Sequence, residues 1–185
     1  IHRQSATVRE FALADCHFGY RDSVFKSSLK DQYIITAVRF RLSKIARVSV
    51  QYGDIRQELN SKGIGIPTPQ QVAQAVIAIR QRKLPNPEQI GNAGSFFKNP
   101  VISQNQFETL KQLYPQIVAY PQSQGVKLAA GWLIEQAGWK GQSLGQAGVY
   151  DKQALVLVNR GTATGQEVMT LAQTIQQSVY DKFGV

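Results

Sequence analysis

The chain has 185 residues, of which 43% are hydrophobic and 18% are charged, a composition typical of a folded globular protein rather than a disordered one. Its length allows one large domain or two small ones, and no apolar run approaches the roughly 18 residues that a membrane span requires. Cysteine occurs once, at Cys16, and the chain has only two histidines, His2 and His17. The sequence therefore predicts no disulfide framework and no metal site, and it fits the reducing cytoplasm.

The net charge of +9 lies mostly in the first half of the chain. Residues 1–98 contain 15 lysines and arginines and 7 acidic residues, whereas residues 99–185 contain 6 and 5. A basic region favours an anionic partner such as a nucleotide, a carboxylate ligand or a nucleic acid. Scattered solubilising side chains would give the same total, so charge alone leaves both interpretations open.

Three stretches of the first half are predicted to be β-strands, namely residues 6–11, 33–42 and 48–52. The clearest is 33–42, where Val38, Phe40 and Leu42 alternate with two arginines. A single helical turn is predicted at residues 12–16.

Residues 18–22, FGYRD, form a predicted loop around a glycine that places Tyr20 beside Arg21. A guanidinium can bind a carboxylate through two parallel hydrogen bonds, which makes Arg21 a candidate ligand for an acid group. An ordinary surface loop with packed aromatic side chains is the alternative.

Three capping signals predict helices. Thr68, Ser103 and Thr164 are each followed three residues later by glutamine or glutamate, the pattern of a capping box, and the last helix is predicted to end at Gly184. Two prolines within residues 85–87 cannot continue a helix, and we place a domain boundary there, giving domains 1–84 and 85–185.

The second half alternates between predicted strands and helices, including an apolar helix at 129–137 and a fully buried strand at 154–159. Between the boundary and these elements lies the segment 91–100, GNAGSFFKNP. It combines two glycines with the hydroxyl of Ser95, two aromatic rings, a lysine and the amide of Asn99. This composition suits a polar site, although a turn and a short strand with a phenylalanine in the core explain it as well.

Four motifs in this order, FGYRDSVFK, RKLP, GNAGSFFKNP and VKLAAGWLI, resemble those of the UDP-N-acetylenolpyruvoylglucosamine reductases, also called UDP-N-acetylmuramate dehydrogenases. The resemblance covers essentially the whole chain and points to the longer of the two family types. It implies an α+β fold, in which residues 1–84 end an FAD-binding domain and 85–185 form a small α/β domain that binds a UDP-sugar. The implied reaction uses NADPH and FAD to reduce UDP-N-acetylglucosamine enolpyruvate to UDP-N-acetylmuramate for peptidoglycan.

The same resemblance implies roles for individual residues. Ser95 would protonate the carbon next to the substrate carboxylate, and Arg21, with Tyr20 beside it, would bind that carboxylate. The uridine diphosphate part would be held by Tyr52, Lys83, Asn99, Tyr120 and Gln153. A serine is a poor acid, so a cation must support Ser95; Lys83 could do this or bind phosphate, and the sequence leaves both open.

The resemblance also implies that most FAD contacts precede Ile1 and that a second catalytic carboxylate follows Val185. We therefore expect this chain alone neither to retain FAD nor to turn over, and we expect a monomer without membrane or nucleic-acid partners. A UDP-sugar-binding domain that has lost catalysis is the first alternative. A basic nucleic-acid-binding module is the second, and it would require aromatic side chains interleaved with the cations on one surface.

Overall fold

The computed structural model describes residues 1–51 and 53–185, and these form two compact units, Ile1–Arg47 and Val48–Val185. The first unit contains two single-turn 3-10 helices, Ala14–Cys16 and Val24–Lys26, of which the former confirms the predicted helical turn. Its aromatic side chains cluster edge to face, with ring centroids of Phe11 lying 5.0 Å from Phe25 and 5.1 Å from Tyr33.

The predicted strands of the first half are wrong. Within residues 1–47, all of which are described, no β-strand forms, and Tyr33 makes only an isolated bridge with His2. Residues 48–51 are not in a strand either. Val38, Phe40 and Leu42 are 65%, 75% and 82% exposed. The alternating pattern is real, but a strand requires a second strand to pair its backbone groups, and no described segment of this unit pairs with 35–42.

The described residues of the second unit form five α-helices, which are α1 (Ile55–Ser61), α2 (Pro69–Lys83), α3 (Gln104–Leu113), α4 (Ala130–Gln136) and α5 (Gly165–Phe183). The capping boxes predicted at Thr68 and Thr164 are both present, and Ser103 accepts the backbone N–H of Gln106 as predicted. Gly184 ends α5 in the left-handed conformation. Helix α1 was not predicted.

In the part of the chain that the structure describes, seven short strands form two antiparallel sheets. They are β1 (Asn92–Ser95), β2 (Val101–Ile102), β3 (Ala119–Gln122), β4 (Gly125–Leu128), β5 (Ser143–Leu144), β6 (Ala147–Val149) and β7 (Val156–Asn159). One sheet has the order β1-β7-β6-β5 and the other β2-β4-β3. Helices with antiparallel sheets confirm the α+β class, and the buried residues of β7 confirm the predicted buried strand.

The core of the second unit lies between these sheets and the long helix. Leu171 and Ile175 on α5 are fully buried, as are Leu128 on β4 and Val149 on β6. Helices α1 and α2 pack together around a smaller cluster of their own. Among the described residues, no helix combines the length and apolar character needed to cross a bilayer.

Candidate active site

Ser95 ends β1, and an irregularity in that strand sets its direction. Asn92 pairs with Val158 and Ser95 with Val156, so β1 holds one more residue between these pairs than β7, which is a β-bulge. Gly94 lies in the bulge with φ of +61°, a conformation that glycine adopts without strain. Ser95 is exposed, while the two phenylalanines that follow pack against the core. The segment therefore forms the turn and short strand of the alternative interpretation, and it also exposes Ser95 at the surface.

Asn99 and Gln153 meet at the first turn of α4. The Asn99 side-chain oxygen accepts the backbone N–H of Ala130 at 2.9 Å, a partly buried hydrogen bond that caps the helix from outside. A methyl group added at Gly131 would lie 3.4 Å from the Gln153 side-chain oxygen, so Gln153 packs along the same turn. These two predicted residues, 54 positions apart in the printed sequence, are brought together by one helix.

Ser95 belongs to the same region of the structure. The backbone N–H of Phe96, the next residue, donates to the carbonyl of Leu155 at 2.8 Å, and Leu155 also faces Gly131 of α4. Gln153 is two residues before Leu155, and its side-chain oxygen accepts the Leu155 N–H at 3.4 Å. Ser95 and Gln153 therefore lie on neighbouring backbone segments next to the start of α4, where Asn99 caps the helix.

Tyr120 lies on the exposed face of the sheet that leads into α4. It pairs with Lys127 of β4, and the Lys127 ammonium lies 5.5 Å from the centre of the Tyr120 ring. Lys127 stands between the buried Val126 and Leu128, so its side chain is on the opposite face from the core. Lys127 was not among the predicted site residues, although this alternation within the VKL motif could have indicated an outward cation.

Lys83 is positioned differently, by helices α1 and α2. It is the last residue of α2 and forms an ion pair with Asp54, the residue that precedes α1. The contacts described for Lys83 are with α1, whereas those of Asn99 and Gln153 are with α4. Both Lys83 and Asp54 border a cleft of about 420 Å³. Sequence reasoning missed Asp54, because an ion pair between residues this far apart leaves no local pattern.

A second ion-paired carboxylate lies one turn along α1. The Glu58 side chain contacts Lys62 and Arg82, each at 2.9 Å, and is only 9% exposed. Hydrogen bonds from Lys62 and Arg82 lower the pKa of the Glu58 carboxyl, because both donors stabilise its charged form. Glu58 is thereby a structural anion that fixes α1 on α2.

Tyr20 and Arg21 occupy the tip of a tight turn in the first unit. Gly19 and Asp22 exchange backbone hydrogen bonds of 3.0 and 3.3 Å, which leaves Tyr20 and Arg21 at the two central positions. Arg21 has φ of +52°, and the Lys26 ammonium donates to its carbonyl oxygen at 2.9 Å. A non-glycine residue in this conformation is uncommon and marks a constrained turn. The predicted meeting of Arg21 and Ser95, which lie in different units, stays a prediction, and Tyr52 lies outside the described residues.

The described residues contain no group of three histidine, cysteine, aspartate or glutamate side chains that could hold a metal ion. A second cleft, of about 470 Å³, is bordered by polar and backbone groups near the start of β1, namely Gln89, Ile90, Gly91, Asn159, Arg160 and Gly161. Neither cleft is walled by the broad apolar faces that a flavin ring requires.

The fold defines a small α+β domain in which the segments that carry Ser95, Asn99 and Gln153 lie next to a short helix. Residues 86–185 match the family model for the C-terminal domain of UDP-N-acetylenolpyruvoylglucosamine reductase. The chain belongs to this family. This confirms the resemblance stated from its motifs.

Individual relatives agree with the family match. The chain is 53% identical over 186 residues to the UDP-N-acetylenolpyruvoylglucosamine reductase of Pseudomonas syringae pv. syringae, covering 100% of this chain and 55% of the relative. It is 56% identical over 173 residues to that of Chromobacterium violaceum, covering 93% and 51%. It is 50% identical over 186 residues to that of Pseudomonas aeruginosa, covering 100% of this chain and 55% of the relative. The chain thus spans about half the length of the curated relatives it matches.

Proposed function

We propose that this chain forms part of a reductase that converts UDP-N-acetylglucosamine enolpyruvate to UDP-N-acetylmuramate for peptidoglycan precursor synthesis. The observation that carries the proposal is the placement of the exposed Ser95 in a chain of this family. Ser95 ends β1 beside the segment that carries Gln153, next to the start of α4 that Asn99 caps. The relatives that match the chain carry the name of this reductase.

Each residue has a defined part in the proposed chemistry. When a hydride adds to the terminal carbon of the enolpyruvyl double bond, the electron pair moves to the carbon that bears the carboxylate. Arg21 stabilises the resulting enolate through the carboxylate oxygens. Ser95 then donates its proton to that carbon, which completes the lactyl ether. Tyr20, next to Arg21 at the tip of the turn, is proposed to contact the same carboxylate.

The remaining polar residues are proposed to bind the nucleotide. The Lys83 ammonium already contacts a carboxylate, that of Asp54, and this favours the diphosphate role for Lys83 over the activation of Ser95. Asn99 uses its oxygen to cap α4, so its amide N–H groups are the ones to bind the ligand. Tyr120, with Lys127 opposite, and Gln153 are proposed to complete the nucleotide site, and Tyr52 is proposed to close over it.

The flavin is proposed to bind mainly to residues outside this chain. The hydride would come from FAD reduced by NADPH, but the described clefts do not fit a flavin ring, and we therefore assign no FAD ligand here. We accordingly propose residues 1–84 as the end of the flavin domain and 85–185 as the substrate domain, and the start of the family match at residue 86 supports this boundary. A cytoplasmic location agrees with the single buried thiol, and the monomeric state stays a prediction.

Ser95→Ala in the full-length protein tests the proposal, with the two half-reactions followed separately by flavin absorbance. Reduction of the flavin by NADPH should keep its rate. Reoxidation by UDP-N-acetylglucosamine enolpyruvate should slow by about 100-fold or more, the usual size of a lost general acid.

Ser123→Ala is the matched control, because it removes an exposed hydroxyl from the turn between β3 and β4. The rates of its two half-reactions should equal those of the unmodified protein. An unchanged reoxidation rate in Ser95→Ala would remove Ser95 from the mechanism, and an unmodified protein that fails to oxidise NADPH with this substrate would refute the function itself.

A further inference from the structure

The ion pair between Asp54 and Lys83 joins two residues that lie far apart in the sequence. Asp54 immediately precedes α1, and Lys83 ends α2. Their side chains are 41% and 48% exposed, so the pair faces water at the edge of the 420 Å³ cleft. Solvent-exposed pairs of this kind contribute little to stability, and water or another anion can replace the carboxylate as the partner of Lys83.

Helix α1 does not depend on this pair to stay in place. One turn later, the Glu58 carboxylate is enclosed between Lys62 and Arg82 with 9% of its side chain exposed. Ile55 and Leu59 of the same helix are buried in the cluster shared with α2. The two carboxylates of this region therefore have different roles. The enclosed Glu58, held by its two cations, fixes the helix, whereas the exposed ion pair of Asp54 can open without unfolding it.

A diphosphate and the Asp54 carboxylate are competing partners for Lys83. Both are anions that take hydrogen bonds from the ammonium. If both bound it together, the carboxylate would lie within a few ångströms of the phosphate oxygens, where like charges repel. The diphosphate carries the greater charge and leaves Asp54 to water, which its present exposure permits.

We infer that Asp54 is a positioning residue that holds Lys83 while the site is empty and gives it up to the diphosphate of the bound nucleotide. The inference rests on the proposed function, because it takes the ligand to be a uridine diphosphate. Asp54 thereby sets the affinity for the nucleotide without touching it, since each binding event must first open the ion pair.

The test measures the affinity of the full-length protein for UDP by titration calorimetry. Asp54→Asn keeps the shape of the side chain but removes its charge, so UDP should bind about threefold to fivefold more tightly, the range that an exposed ion pair allows. Lys83→Met should weaken UDP binding. In the Lys83→Met background, Asp54→Asn should have no further effect, a result that a merely structural role of Asp54 would not give.

Two controls make the outcome specific. Asp181→Asn makes the same charge change on the exposed face of α5 and should leave the affinity unchanged. Uridine, which lacks the phosphates, should bind equally to the unmodified protein and to Asp54→Asn. Unchanged or weaker UDP binding by Asp54→Asn, or the same gain in the Lys83→Met background, would overturn the inference alone. A complete lack of UDP binding by the unmodified protein would refute the proposed function, and the inference with it.

Discussion

Asn99 has two roles in this protein, and two substitutions can separate them. Its side-chain oxygen accepts the Ala130 N–H at the start of α4, and its amide N–H groups are proposed to bind the nucleotide. Asn99→Ala removes both functions. Asn99→Asp keeps an oxygen in the capping position but replaces the amide donor with an anionic acceptor.

The size of the stability effect follows from the burial of the donor. Ala130 is 6% exposed, so its N–H has poor access to water when the Asn99 oxygen is removed. An unpaired N–H of this kind, or a lost helix cap, destabilises a protein by about 1–2 kcal/mol. In Asn99→Asp the cap remains and the negative charge lies near the positive end of the helix, so the free energy of unfolding should stay within about 0.5 kcal/mol of the original.

Tryptophan fluorescence during urea unfolding reports directly on this helix. The chain has two tryptophans, Trp132 within α4 and Trp139 shortly after it. The midpoint should fall in Asn99→Ala and remain near the original in Asn99→Asp. Titration with UDP should show the other pattern, with binding weakened by about tenfold or more in both variants because both lack the amide donor.

The capping role and the binding role of Asn99 can be refuted independently. Equal urea midpoints for Asn99→Ala and the unmodified protein would show that the cap contributes nothing to the stability of α4. Undiminished UDP affinity in Asn99→Asp would show that the amide does not contact the nucleotide. The contrast between the two variants is the decisive result, because a general loss of folding would affect stability and binding together.

Three further predictions concern stability. In Gly125→Ala, the added methyl would lie 2.4 Å from the Ile102 carbonyl oxygen, at a residue whose φ is +114°. The free energy of unfolding in urea should therefore fall by about 3 kcal/mol or more. Gly65→Ala is the control, because its methyl would have nothing within 4 Å, and its free energy of unfolding should stay within about 1 kcal/mol of the original. The lowered pKa of Glu58 means that its stabilisation is complete above about pH 4.3, the ordinary glutamate value, and is lost as pH falls through the lowered value in the folded state. Glu58→Gln should flatten the acid side of the pH–stability curve, and an unchanged curve would contradict this. Thr164→Ala removes the cap of α5 and should lower the free energy of unfolding by about 1 kcal/mol in circular-dichroism melts. Thr164→Ser keeps a capping hydroxyl and should lower it by much less. Equal losses in the two variants would exclude the cap as the cause.

Helix ends were predictable because their signals are local. Thr68 and Thr164 each bond a backbone N–H three residues away, so four consecutive residues contain the whole interaction. The buried strand β7 was predictable for a similar reason, since an apolar run can be accommodated only inside the core. The motif around Ser95 was also recognisable in the sequence, and it pointed to the family that the comparisons confirm.

Strand pairing was not predictable in the same way. Residues 33–42 have a strand pattern, yet 35–42 remain unpaired in this unit because a strand is stabilised by a second segment that the pattern does not specify. Bulge geometry at Gly94, which turns Ser95 outward, likewise depends on the register against β7.

The sequence by itself determined the starts of α2, α3 and α5, the buried strand and the family. Only the tertiary structure decided that Asn99 caps α4 beside Gln153, that Lys127 faces Tyr120 and that Asp54 pairs with Lys83. The physical reason is the range of the interactions. Capping and side-chain periodicity act over a few residues, whereas these contacts join segments that become neighbours only when the sheets and helices pack.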